Sequence, residues 1–255
     1  MAASCSGWAS SAAVPDDSIV TVPSAFTSAA LLSGDSTIDH GYINELEANL
    51  IARSPWASLF RNEADSVLAS AHRAATLDAL DSAAEIAETD SERPRFSFVH
   101  VLSPHTPFVL GGGMNEPPHL AACFPVHCGV WSASMDEIGL GFEEYRGRLI
   151  EQIQALNEGL LGTVDRIIEA DPSGIVVLMS DHGSRYTVSD RQEQFKSFLA
   201  ARAPGQSQLF SDDESDVNIL RRIIREEFGA RLEPLEYEAW WSDPGVLDLM
   251  PVEPE

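Results

Sequence analysis

The residues best suited to chemistry stand together at Ser180, Asp181, His182 and Gly183. A carboxylate beside an imidazole offers oxygen and nitrogen lone pairs, the donors that zinc-like divalent ions take. The ordinary alternative is an aspartate that caps a turn beside a histidine with no task, since short motifs recur by chance. A second imidazole, His105, sits between two prolines in Ser103-Pro104-His105-Thr106-Pro107-Phe108. Its ordinary alternative is a structural turn histidine. His100, inside an apolar run, reads as a core histidine. Cys123-Phe124-Pro125-Val126-His127-Cys128 suits a short disulfide loop in an oxidising compartment, or two free thiols. A metal site there, with His119 and His127 as further ligands, lacks a second cysteine pair. The acidic run from Ser211 to Asp216 lacks the glycine and final glutamate of a calcium loop, and reads as a solvated helix start.

These positions need elements to hold them. Gly174-Ile175-Val176-Val177-Leu178-Met179 runs straight into Ser180. The pattern predicts a buried parallel strand, and ligands of open α/β sheets bind outside the carboxyl ends of such strands. Phe96 to Leu102 is a second predicted strand; Pro104 and Pro107 forbid its continuation and leave His105 at a strand end, like Asp181. From Phe142 to Ala170, the residues Phe142, Tyr145, Leu149, Ile153, Leu156, Leu160, Val164, Ile167 and Ile168 fall mostly at spacings of three and four, which predicts an amphipathic helix. Asp171-Pro172-Ser173-Gly174 stops it, so helix, tight turn and strand make an αβ unit. Asp216 to Phe228 is another predicted helix, with Val217, Leu220, Ile223, Ile224 and Phe228 inward and Gly229 as its stop. Residues 43–88 have helical spacing, Phe26 to Leu32 suits a short helix, and 111–131 is a long proline-bearing loop of the kind that often carries function. Residues 230–255 predict an irregular tail, and no internal repeat is present. The simplest assembly is one α/β domain over 1–255, a mainly parallel sheet flanked by helices, with 96–102 and 175–179 as neighbouring or near-neighbouring strands.

Composition narrows the partners. The 255 residues are 44% apolar and 22% charged, enough for a full core. The net charge is −24, from 40 acidic and 16 basic residues, and Lys196 is the single lysine. Such a balance repels nucleic acid and anionic lipid, and no basic groove is present, which excludes nucleic-acid binding. An anionic substrate then needs a metal or a local arginine cluster. No apolar run approaches the ~20 residues of a membrane helix. Met1 to Trp8 lacks the basic and apolar regions of a signal peptide.

Three segments together resemble the alkaline phosphatase/sulfatase superfamily, most closely its membrane-anchored sulfatase-like and phosphoethanolamine-transferase-like branches. The first is the strand ending in Ser180-Asp181-His182-Gly183. Such an Asp-His pair binds the catalytic metal in the family, and the resemblance implies this for Asp181 and His182. The second, Phe98 to Phe108, resembles the family's strand ending in a His-x-Pro loop beside the substrate, which implies a substrate-binding role for His105. The third, Ser18-Ile19-Val20-Thr21-Val22-Pro23-Ser24 continuing to Leu31-Leu32-Ser33-Gly34, resembles the nucleophile segment. Thr21 stands two residues before a proline, as the sulfatase nucleophile does. Ser18 is the nearest hydroxyl to the position of the threonine in the transferase branch. Val217 to Gly229 also looks like the family's closing helix, and the likeness is weak between 35 and 95.

Two departures shape what is expected. Thr21 and Ala25 replace the Cys or Ser and the Arg of the formylglycine motif Cys/Ser-x-Pro-x-Arg, so sulfate-ester hydrolysis by that route is not expected. The family's first metal ligand comes from a strand ahead of the nucleophile, and the anchored branch carries N-terminal membrane helices; neither is expected here. The chain therefore reads as an N-terminally shortened, alkaline-phosphatase-like single domain. The implied function is that of a metal-dependent hydrolase or transferase acting on a phosphoester, from a small molecule or a lipid head group. The implied cofactor is a divalent metal, whether zinc, manganese, magnesium or calcium. Thr21 or Ser18 would attack phosphorus, and His105 would hydrogen-bond the phosphoryl group or protonate the leaving oxygen. The anchored members' place, the extracytoplasmic face of a membrane, is the location implied. The alternative is a non-catalytic remnant of the fold acting as a binding module. Thr21 then is a strand or turn residue, and Ser18 a turn or N-cap serine.

Overall fold

The computed structural model describes residues 19–22, 36–37, 50, 54–55, 61–117, 142–183, 192–206, 209–211, 214–242 and 248–252. Ser18, the helix expected at 26–32, His119, Cys123, His127 and Cys128 lie outside these residues. The chain divides into two units, Met1–Asp171 and Pro172–Glu255.

In the first unit, β1 (Ile19–Val22), β2 (Ser36–Thr37) and β3 (Phe96–Val99) form a parallel sheet in the order β2-β1-β3. β1 is a run of β-branched residues, whose stiff side chains favour extended backbone. Its pairing with β3 runs from Ile19 opposite Phe96 to Val22 opposite Val99. Parallel neighbours need a long crossover, and the connection from β1 to β3 contains α1 (Arg61–Glu88). β3 stops before the predicted Leu102, and Phe96 and Phe98 are exposed rather than buried. The chain then turns, with the His105 N–H donating to the Leu102 carbonyl at 3.1 Å. Pro104 and Pro107 both follow cis peptide bonds.

α1 packs against α2 (Phe142–Ala170), whose ends match the sequence prediction. The shared core is Ala69, Leu80, Val109, Leu110, Ala155 and Leu156. Each buried leucine contributes about 1.5–3 kcal/mol. Gly159 lets the elements meet: a Cβ there would lie 2.7 Å from Met114 Cε and 3.1 Å from Leu80 Cδ1. The buried face of α2 differs from the predicted stripe. Tyr145 and Leu156 of that stripe are buried, but so are Gln152, Ala155 and Thr163 outside it, whereas Ile153 of the stripe is exposed. Close approach through small side chains, together with the hydrogen bonds of Gln152, selects this face. Arg166 of α2 donates to Asp81 Oδ1 at 2.7 Å and to Glu88 Oε1 at 2.8 Å on α1. Its hydrogen bond holds the Glu88 carboxyl below the usual carboxylate range. These groups are solvent-accessible, so the bridge adds little stability.

In the second unit, β4 (Val176–Met179) pairs antiparallel with β5 (Leu199–Arg202), Val176 opposite Arg202 and Met179 opposite Leu199. Among the described residues, β3 and β4 thus lie in different sheets and different units, not side by side in one parallel sheet. Among the described residues β5 is the next strand after β4, and Arg202 staples the turn before β4 by donating to the carbonyls of Gly174 (3.0 Å) and Pro172 (2.8 Å).

α3 (Asp216–Phe228) has the predicted ends, and Gly229 caps it in the left-handed conformation at φ 64. Its buried residues are Asn218 and Ile219; Val217, Leu220, Ile224 and Phe228, predicted inward, are exposed. Hydrogen bonds explain the reversal. Asn218 accepts the Leu235 N–H at 2.8 Å and donates to the Leu235 carbonyl at 2.9 Å, while Arg221 donates to the Glu233 carbonyl. The tail therefore covers the polar side of the helix. It is not wholly irregular either: β6 (Ala239–Trp241) and β7 (Met250–Val252) pair antiparallel. Among the described residues, no helix is long and apolar enough to cross a membrane.

Candidate functional site

β4 delivers the chain into Ser180, whose N–H donates to the Phe198 carbonyl at 3.0 Å and whose Oγ accepts the Phe198 N–H at 2.7 Å. This clamp fixes where Asp181 leaves the sheet. The Asp181 side chain is 86% exposed and that of His182 31% exposed, with Oδ1 and Nε2 3.8 Å apart. The His182 Nδ1–H donates to the Gly183 carbonyl oxygen at 2.7 Å. A carbonyl only accepts, so the neutral ring keeps its lone pair on Nε2, the nitrogen beside Asp181. Gly183 is required by packing. A Cβ there would strike the Glu193 carbonyl oxygen and lie 2.6 Å from that of Lys196, and the Gly183 N–H donates to the Gln194 carbonyl at 3.0 Å. That short turn, Gln192–Phe195, is backed by an edge-on contact of Phe195 with Trp241, centroids 6.4 Å apart.

Asp181 Oδ1 and His182 Nε2 offer two donors of the kinds that divalent ions take. Donors about 2.0–2.2 Å from a tetrahedral ion stand about 3.4 Å apart, a small side-chain rotation from the separation here. A carbonyl holding the far ring nitrogen is the usual support of a metal-bound histidine. Asp181 and His182 supply two donors, where a catalytic zinc takes three from protein. Among the described residues, no group of three or more His, Cys, Asp or Glu is gathered.

In the first unit, the loop after β3 rests on both helices. The His105 Nδ1–H donates to the Thr106 carbonyl at 2.8 Å, which again leaves Nε2 as the free lone pair of the neutral ring. Gln152, 0% exposed on α2, holds the backbone of Pro104, His105, Val109 and Leu110. Phe108 meets Tyr145 edge-on, centroids 5.0 Å apart. Beneath the loop, Ser103 Oγ lies 3.3 Å from Thr76 Oγ1, which donates to the His72 carbonyl at 3.0 Å. His72 is buried, and burial, with the positive charge of His105 adding to it, pushes its pKa down to about 4. The farther loop is pinned by Arg73 donating to the Met114 carbonyl and by the Gly113 N–H donating to Glu158 Oε2 at 3.1 Å.

Thr21 lies on β1, in register with Phe98 of β3 and Thr37 of β2. The parallel arrangement sends β1 and β3 out of the same sheet edge, so the strand of Thr21 neighbours the strand that leads to His105. Thr21 and His105 belong to the first unit, Asp181 and His182 to the second. Gln152 and His72 stood outside every sequence motif. The one trace of Gln152 is its place three residues after Leu149 and four before Leu156, a polar side chain inside an apolar spacing. No protein-family model matches this chain, and neither does any curated protein or solved structure.

Proposed function

We propose that this chain is a metal-dependent hydrolase or phosphoryl-group transferase acting on a phosphoester, of the alkaline-phosphatase-like α/β class. The observation that carries the reading is the exposed Asp181 carboxylate 3.8 Å from His182 Nε2, with the other ring nitrogen tied to a carbonyl. The likeness of three segments to the sulfatase superfamily supports it. Asp181 and His182 would hold the divalent ion, which when bound would neutralise phosphoryl charge and lower the pKa of a bound hydroxyl. Thr21, or in its place Ser18, attacks phosphorus; its O–P bond forms as the bond to the leaving oxygen breaks, and its proton passes to water. His105 hydrogen-bonds a phosphoryl oxygen or, when protonated, hands a proton from Nε2 to the leaving oxygen. The substrate is a small-molecule or lipid-head-group phosphoester.

The test pairs metal content with turnover. Protein is exposed to zinc, manganese, magnesium or calcium, and bound metal is measured for wild type, Asp181→Ala and His182→Ala. Phenolate release from a phosphodiester and a phosphomonoester is followed for wild type, Thr21→Ala, Ser18→Ala and His105→Ala. Wild type is expected to retain metal and the two ligand variants to lose it, with His105→Ala slowed about 10²-fold or more. Equal metal in wild type and Asp181→Ala overturns the metal site. Full rate in both hydroxyl variants overturns the nucleophile. Silence of wild type with every metal replaces the enzyme by the non-catalytic binding module.

A further inference from the structure

We propose that Gln152 is the positioning residue of His105: one buried side-chain amide fixes the loop that presents this imidazole to the phosphoester. The inference rests on the substrate-binding role given to His105 above. Gln152 Oε1 accepts the N–H groups of Val109 at 2.6 Å and Leu110 at 3.1 Å. Its Nε2 donates to the carbonyls of Pro104 at 2.9 Å and His105 at 3.1 Å. Two lone pairs and two N–H bonds are thus all used, the full capacity of a primary amide. Among the described residues, the loop between β3 and the Gly112–Met114 turn belongs to no named strand and carries one bridge, Gly111 to Asn115, so Gln152 supplies the partners of these four backbone groups. The position discriminates between residue types. Glutamate keeps the acceptors and loses both donors; asparagine is one methylene short; methionine fills the space and makes none of the bonds. Because the His105 carbonyl itself is held, and its ring is bonded to the next carbonyl, the amide sets where Nε2 stands. The platform is rigid, since Gln152 sits mid-helix beside the core residues Ala155 and Leu156.

The experiment uses the full chain and the variants Gln152→Glu, Gln152→Met and, as a control on the exposed side of α2, Gln154→Ala. The first readout is the ring resonances of His105 together with hydrogen exchange at the Val109 and Leu110 amides. In Gln152→Glu those two amides are expected to stay protected while the His105 ring signals shift or broaden. In Gln152→Met protection and ring signals are both lost, and Gln154→Ala matches wild type. The second readout is KM and kcat on the phosphodiester, with His105→Ala combined with Gln152→Glu. Gln152→Glu alone is expected to lose about tenfold or more in kcat/KM, and no further loss follows in a background already lacking the imidazole. Unchanged ring signals in Gln152→Glu, or losses that multiply in the double variant, overturn the proposal. If Gln152→Met fails to fold, Gln152→Glu decides alone. A wild type without turnover removes the phosphoester reading, and the ring and exchange measurements then decide whether Gln152 positions His105.

Discussion

At the scale of single residues, burial holds the His72 imidazole in its uncharged form. His72 binds a proton near pH 6.5 in the unfolded chain and only near pH 4 in the folded one, because burial first, and the charge of His105 second, oppose the cation. The unfolded state therefore binds more protons between those values. The contribution is fully present above about pH 6.5, falls as pH drops, and has cost on the order of 3 kcal/mol once pH is below about 4. Urea unfolding at about pH 7 and about pH 5 is expected to show stability falling in wild type, and a shallower fall in His72→Leu. Equal slopes in the two proteins would remove His72 as the cause. Asp181 and His182 are legible as a donor pair because they are contiguous and follow an apolar strand. Gln152 is not legible, since the groups it satisfies lie more than 40 residues away in sequence and no spacing within α2 encodes them.

At the scale of elements, stops are written locally and partners are not. α2 ends at Asp171-Pro172 and α3 at Gly229, residues that fail or refuse to continue a helix, so both ranges follow from the sequence. The faces do not. α3 turns Asn218 inward because the tail offers backbone groups to bond, and its apolar stripe is left exposed. The partner of β4 is likewise invisible in its own residues; an apolar run of this kind reads the same whether its neighbour is parallel or antiparallel. The turn after β4 gives a direct test of element packing. Gly183→Ala forces the turn at Gln192–Phe195 away and is expected to destabilise the second unit by about 1–3 kcal/mol, read by denaturant unfolding. The same variant is expected to lower metal retention, because the carbonyl that orients His182 belongs to Gly183. An unchanged unfolding midpoint would show that the Glu193 carbonyl moves aside without cost.

At the scale of the whole molecule, 40 acidic residues against 16 basic ones make self-repulsion a general load on the folded state. Raising ionic strength from about 0.01 M to about 0.15 M shortens the screening length from about 30 Å to about 8 Å. The melting temperature is expected to rise by a few degrees over that range, and a fall would show that attractive pairs such as Arg166 with Asp81 and Glu88 outweigh the repulsion. The order β2-β1-β3 has a consequence during synthesis. The middle strand of the sheet is the first to leave the ribosome, and β3 follows on the order of 75 residues later, about 4–15 s at about 5–20 residues per second. Through that interval Ile19–Val22 is a β-branched segment without β3 beside it, the kind of open edge from which misassembly starts. A holdase that shields this segment until β3 emerges is expected to raise the folded yield.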